Sequence, residues 1–145
     1  MIKKKIGAGI LAIDKKTGQI LICRRGMQGS FPNTWAAFGG TFDEEDGTPK
    51  HTAKREFWEE TQVEVPYQIS SEPFFMNTNQ FIDFYTYIGV FDGKPEVRIN
   101  EESLGYAWVD LENMPFNLMP GFEEMLNAKR KELKQIISTL VDSNY

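Results

Sequence analysis

Between Gly39 and Val63 the chain reads GGTFDEEDGTPKHTAKREFWEETQV, and the residues with chemical capacity crowd its second half. Arg55, Glu56, Glu59 and Glu60 fall on a segment that local rules make helical. Thr48 is a natural N-cap, because its hydroxyl can accept from a first-turn N–H. Pro49 suits the first helical position, where no N–H is needed. Nothing from Lys50 to Thr61 breaks a helix. At about 100° per residue, Glu56 and Glu60 lie roughly 40° apart, with Glu59 about 60° to the other side of Glu56. The three carboxylates share one face, Arg55 can brace Glu59 from four residues away, and Ala53 and Phe57 border that face as anchors to a core. Two like charges about 4 Å apart repel by roughly 4 kcal/mol at an effective dielectric near 20. Bound Mg²⁺ or Mn²⁺ reverses that sign, and both ions keep room for waters and substrate phosphates. An isolated Glu-Glu pair is ordinarily a solvated helix face. The frame around this one points instead to divalent metal and phosphate.

Several elements must position that helix. Ile6 to Ile13 alternates small and apolar residues and predicts a strand. Asp14 to Gly18 predicts a turn, and Gln19 to Cys23 a returning strand followed by Arg24 and Arg25. One of these arginines is expected to face solvent and the other to meet phosphate, whose geometry guanidinium matches. Gly26 to Asn33 is a loop, and Trp35 after it is expected in the core. Beyond the helix, Val63 to Ile69 predicts a strand, Phe74 to Met76 a short apolar run, and Phe81 to Phe91 the strongest strand of the chain. Gly93 to Pro95 is a turn. Glu101, Glu102 and Ser103 precede a strand over Leu104 to Val109. Phe122 to Val141 carries apolar residues at helical spacing, with lysines on the other face. His51, the only histidine, is expected at the surface.

The chain has 145 residues and a net charge of −5. That size predicts one domain, residues 1–145, with a substantial core. The negative charge argues against a broad nucleic-acid surface, and the lack of a long apolar run predicts no membrane span. The basic and apolar start reads as a strand rather than a leader peptide. A lone cysteine, Cys23, excludes an internal disulfide and fits a reducing cytoplasm.

The Gly39–Val63 stretch resembles the Nudix box, G-x5-E-x7-R-E-U-x-E-E-x-G-U with U a bulky apolar residue. Arg55, Glu56, Phe57, Glu59, Glu60 and Val63 fall in register, and Gly40 is the first glycine if the loop carries one extra residue. Gly47 stands where the box has its loop glutamate, so Asp46, Glu45 or Glu44 substitutes or nothing does. Gln62 stands at the box glycine, where a left-handed turn costs a side-chain-bearing residue roughly 1–2 kcal/mol. Phe38 replaces the proline usually found before the glycine pair.

The resemblance implies an α+β fold, the Nudix α/β/α sandwich around a mixed sheet. It implies hydrolysis of a pyrophosphate bond in a nucleoside diphosphate linked to another group: an NTP or oxidised dNTP, a nucleotide sugar, ADP-ribose or a dinucleoside polyphosphate. Glu56, Glu60 and the Gly40 carbonyl are the implied ligands for Mg²⁺ or Mn²⁺. Glu59 is a third ligand or the water-activating base, and Arg55 the orienting residue. Glu102, with Glu101 as alternate, completes the metal shell or acts as base. Arg24 and Arg25 lie near the substrate. The expected partner is a small nucleotide, and the expected state a monomer or homodimer. The alternative is a Nudix-fold module that binds a nucleotide with little or no turnover.

Overall fold

The computed structural model describes residues 3–143; residues 1–2 and 144–145, the ends of the expected domain, lie outside the described residues. Among the described residues, eight strands form one mixed sheet. The central strand, β1 (Lys5–Asp14), is paired in parallel with β7 (Ile82–Phe91) over its whole length. The other pairings are antiparallel: β2 (Ile20–Arg25) and β4 (Phe38–Thr41) with β1, and β3 (Trp35–Ala36) and β8 (Ser103–Val109) with β2. β5 (Gln68–Ile69) and β6 (Phe75–Thr78) both pair with β7. Helix α1 (Pro49–Thr61) covers one face and α2 (Pro120–Asp142) the other.

β1 shows why both faces are needed. Successive side chains on a strand point to opposite faces. Ala8, Ile10 and Ala12 pack with Ala53 and Phe57 of α1, whereas Leu11 and Ile13 pack with Phe122, Met125, Leu126 and Leu133 of α2. All five β1 residues are wholly buried. A strand buried on both sides needs a layer on each, so the sandwich follows from its composition.

The glycine pair serves a close crossing. Gly39 and Gly40 of β4 lie opposite Gly9 and Ala8 of β1. A Cβ on Gly39 would sit 2.6 Å from the Ala8 carbonyl oxygen. Small residues on both strands let β4 come in close, and its loop then leads straight into α1.

One predicted strand is corrected. Only Gln68 and Ile69 of the Val63–Ile69 segment pair with β7. Gln62 adopts a left-handed conformation (φ 56°, ψ 27°) that ends α1. Val63 is then drawn into the core, its N–H donating to Thr61 Oγ1 at 3.2 Å. Pro66 has no N–H to give a ladder. The apolar run is a core anchor and not a strand. Trp35 is partly buried against the α2-side core, as expected.

Candidate active site

Helix α1 begins as its sequence predicts. The Thr48 hydroxyl accepts from the His51 N–H at 3.2 Å, and Pro49 opens the first turn. His51 is exposed. Ala53 and Phe57 are buried to within 1% and fix the rotation of the helix on β1 and β4. That rotation turns Glu56 and Glu60 inward, beneath the glycine pair.

Glu60 is 6% exposed, and its Oε1 is buried without a hydrogen-bond partner. Burial first, then the hydrogen bond and charge of Glu56 and the charge of Glu102, push its carboxyl well above the ordinary range. A buried acid with an orphaned oxygen is costly unless a ligand meets it. A Cβ on Gly40 would overlap the Glu56 carboxylate, so only glycine leaves this cradle open.

Arg55 ties the site together. Its Nε donates to Asp46 Oδ1 at 2.7 Å and its Nη2 to Asp46 Oδ2 at 3.0 Å. Nη1 reaches Glu56 Oε1 at 3.0 Å and Glu59 Oε2 at 3.2 Å, and Nη2 also reaches the Thr41 carbonyl at 3.1 Å. Asp46 is therefore the loop acid that meets Arg55; Glu44 and Glu45 are exposed. Asp46 belongs to a 3₁₀ turn over Glu44–Asp46 that Asp43 caps, and its Oδ2 also accepts from Thr52 Oγ1 at 2.8 Å and from the Asp43 N–H at 2.9 Å. The Arg55 hydrogen bonds hold the Asp46 carboxyl far below the usual carboxylate range and raise Arg55 in turn. Gly47, at the position of the box glutamate, has φ 75°, so a glycine turn has displaced the acid by one residue.

Glu56 and Glu60 line a cavity of about 450 Å³ with Gly39, Gly40, Arg25, Glu101 and Glu102. The structure thus brings together five of the predicted residues: Gly40, Glu56, Glu60, Glu102 and Arg25. It separates two others. Glu59 is half-exposed and held by Arg55 outside the cavity wall. Arg24 turns away and donates from Nε to Asn33 Oδ1. A bulge between Arg24 and Arg25 interrupts the β2–β8 register and re-aims the strand end. Such bulges commonly redirect a side chain. The Gly26 N–H donates to the Glu102 carbonyl at 2.9 Å, which fastens the loop after β2 to the one carrying Glu101 and Glu102.

Cys23 also lines the cavity and was not among the expected site residues. Its alternation with Arg25 on β2 is the only signal that points to it. Burial and the nearby Glu60 push its thiol up to about 12, so it packs rather than reacts.

Among the described residues, no three His, Cys, Asp or Glu side chains are gathered in ready-made metal geometry. The Glu56–Glu60 pair still fits a hard cation, because its oxygens include one left unpartnered and the glycine cradle leaves space beside them.

A search of curated proteins finds no match to this sequence. Solved structures do match in fold. A bifunctional NMN adenylyltransferase/ADP ribose pyrophosphatase from Francisella tularensis, complexed with AMP and a Mn ion, is 16% identical with a TM-score of 0.69; the match covers 92% of this chain but only 43% of that one. The MutT protein from Methanosarcina mazei Go1 is 21% identical with a TM-score of 0.69, covering 90% and 96%. The NUDIX domain of Shewanella oneidensis NrtR, complexed with ADP ribose, is 19% identical with a TM-score of 0.71, covering 92% and 90%. A family model described as NUDIX domain matches residues 3–129. With Glu56 folded against Gly40 of the glycine pair and that match spanning most of its length, the chain belongs to the NUDIX domain family.

Proposed function

We propose that this chain is a divalent-metal-dependent hydrolase that cleaves the pyrophosphate bond of a nucleoside diphosphate linked to another group. The observation that carries the reading is the inward-facing Glu56–Glu60 pair with its orphaned Glu60 oxygen. A carboxylate pair at this depth is stable only as a proton-sharing pair or around a cation. The complexes with AMP and Mn ion, and with ADP ribose, among the similar structures support a nucleotide substrate and a divalent ion.

Glu56, Glu60 and the Gly40 carbonyl would hold Mg²⁺ or Mn²⁺, with Glu102 lining the same cavity. Such an ion neutralises phosphate charge and lowers the pKa of water. Arg55 holds Glu56 and Glu59 in place through one guanidinium. Glu59, which Arg55 holds outside the cavity wall, would be a third ligand to the ion or the base that accepts a proton from water. Glu102 would complete the metal shell or act as base, with Glu101 as the alternate. Arg25, which lines the same cavity, would meet a phosphate, and Arg24 supports the loop through Asn33.

Restoration of the Arg55 brace by Asp46 favours turnover over a module that only binds. The buried, unpaired Cys23 fits a cytoplasmic setting, and among the described residues no helix is long and apolar enough to cross a membrane. The test is incubation with Mg²⁺ or Mn²⁺ and a panel of NTPs, nucleotide sugars, ADP-ribose and dinucleoside polyphosphates, with products identified by mass. Metal-dependent release of a nucleotide product is expected. Binding without turnover across the panel would make the chain a nucleotide-binding module, and light scattering of the same sample distinguishes monomer from homodimer.

A further inference from the structure

Glu102 stands on an exposed turn before β8, yet it lines the same cavity as Glu56 and Glu60, and its charge reaches Glu60. An acid on a loose turn cannot keep one place relative to a helix. This turn is tied down on both sides. The tie begins where α1 ends. The last four carbonyls of a helix have no partner within it. Gln62 turns left-handed and the Val63 N–H goes to Thr61 Oγ1, so it does not serve the Glu59 carbonyl as a continued helix would. Asn100 Nδ2 donates to that carbonyl instead, at 3.2 Å and across 41 positions of sequence. Beside it the Arg98 N–H donates to the Thr61 carbonyl at 2.8 Å. Residues 98–100 thus cap the end of the helix that carries Glu56 and Glu60.

The same amide holds the turn. Asn100 Oδ1 accepts from the Glu102 N–H at 2.9 Å, and the Asn100 carbonyl accepts from the Ser103 N–H at 3.2 Å. An Asn oxygen that takes the N–H two residues on is a common local turn, and that half of the arrangement needs no functional explanation. The half that reaches α1 is not required by the turn. On the other side the Gly26 N–H holds the Glu102 carbonyl at 2.9 Å. The Glu102 peptide is therefore fixed to α1 through its N–H and to the end of β2 through its carbonyl. These are the elements that bring Glu60 and Arg25 to the cavity.

We infer that Asn100 is a positioning residue for Glu102: one side-chain amide sets the acid of the β8 turn at a fixed place relative to the Glu56–Glu60 pair on α1. The two ends of the amide have separate tasks. Oδ1 shapes the turn, and Nδ2 fastens the shaped turn to the helix. Groups that act at a metal depend on such outer partners for their orientation. The inference rests on the reading of Glu102 as part of the metal shell or as base.

The experiment is a double-variant cycle on the full chain with Asn100→Ala and Glu102→Gln. It reads the Mn²⁺ dissociation constant by calorimetry, and kcat and KM on a cleaved panel substrate. Asn100→Ala is expected to reproduce the Glu102→Gln loss, about tenfold in Mn²⁺ affinity for a ligand or about tenfold in kcat for a base, with KM for the nucleotide unchanged. Together the two changes should lose no more than Glu102→Gln alone, because residues that act as one unit are not additive. Asn100→Ser keeps an oxygen for the Glu102 N–H but has no amide to reach the Glu59 carbonyl, and should lose as much as Asn100→Ala. Glu96→Gln, in the same segment with a side chain 78% exposed, should keep wild-type values. Losses that multiply in the double variant overturn the inference. So does Asn100→Ser at the wild-type level, or Asn100→Ala with unchanged Mn²⁺ affinity and kcat. In each of these cases wild-type Mn²⁺ binding and turnover leave the hydrolase reading standing. A wild-type protein that neither binds Mn²⁺ nor cleaves the panel ends that reading and this inference with it.

Discussion

Asp46 and Arg55 meet through two hydrogen bonds, Nε to Oδ1 at 2.7 Å and Nη2 to Oδ2 at 3.0 Å, across nine positions of sequence. Paired contacts of this kind fix a guanidinium in plane as well as in place. Arg55 in turn holds Glu56 and Glu59, so an acid in the loop sets the geometry of acids on the helix.

Asp46→Asn should therefore lower kcat by about tenfold to a hundredfold, the usual consequence of losing an outer partner of metal-binding groups. Glu44→Gln and Glu45→Gln should stay within about twofold of wild type, as both are exposed. Steady-state kinetics on whichever panel substrate is cleaved will decide. If all three variants behave alike, the Asp46–Arg55 contact has no catalytic consequence.

The metal-free protein should lose stability as pH rises. Glu60 has a folded-state pKa raised above its unfolded value, so the folded state binds more protons across the interval, and stability falls with pH there. The window runs from the ordinary carboxylate range up to about 9. Glu60→Gln removes the ionisation and should flatten the profile, raising metal-free stability near pH 8 by more than about 1 kcal/mol. Melting curves in chelator across this window test it. Parallel wild-type and Glu60→Gln profiles would contradict the assignment. Adding Mg²⁺ or Mn²⁺ should raise the wild-type melting temperature in the upper part of the window, because a ligand that binds only the folded state stabilises it.

Catalysis and folding should separate at Glu59 and Glu60. Each change to Gln is expected to slow single-turnover cleavage by orders of magnitude, every tenfold being about 1.4 kcal/mol of barrier. Their metal-free stabilities should differ. Glu60→Gln stabilises by removing the cost of holding a buried carboxyl protonated, whereas Glu59→Gln, at a half-exposed position, stays within about 0.5 kcal/mol. Glu102→Gln should also slow turnover. Full activity in both Glu59→Gln and Glu60→Gln would end the metal-site reading.

Gln62→Gly should stabilise the protein by about 0.5–1 kcal/mol, with activity unchanged. Gln62 sits at φ 56°, where a Cβ is strained and glycine is not, and the greater unfolded-state entropy of glycine offsets part of the gain. Urea unfolding at constant slope is the measurement. A destabilised variant would mean that the Gln62 side chain contributes more than its backbone strain costs.

What the sequence determined by itself was whatever depends on near neighbours. Thr48, Pro49 and an unbroken run to Thr61 specify α1, and helical pitch alone puts Arg55, Glu56, Glu59 and Glu60 within reach of one another. Alternation in β1, with aromatic and β-branched residues in β7, specifies the strands at the centre of the sheet. The box register made Gly40 the first glycine of the motif, and the structure sets it against the Glu56 carboxylate. Tertiary structure decided everything that depends on distant packing. Asp46, rather than Glu44 or Glu45, meets Arg55 because the 3₁₀ turn and Gly47 fix which acid of three points back. Arg25 faces the cavity with Cys23 and Arg24 does not, because neighbours on β2 alternate and the fold put the cavity on the Arg25 side. Glu60 is buried while Glu59, one residue before it, stays half-exposed, because Ala53 and Phe57 dock on β1 and β4 at one rotation. Val63 became a core anchor and not a strand residue because the left-handed Gln62 turned the chain inward. Spacing along a helix is a local geometric constant, but the wall that a carboxylate faces is set by strands that the sequence brings together only on folding.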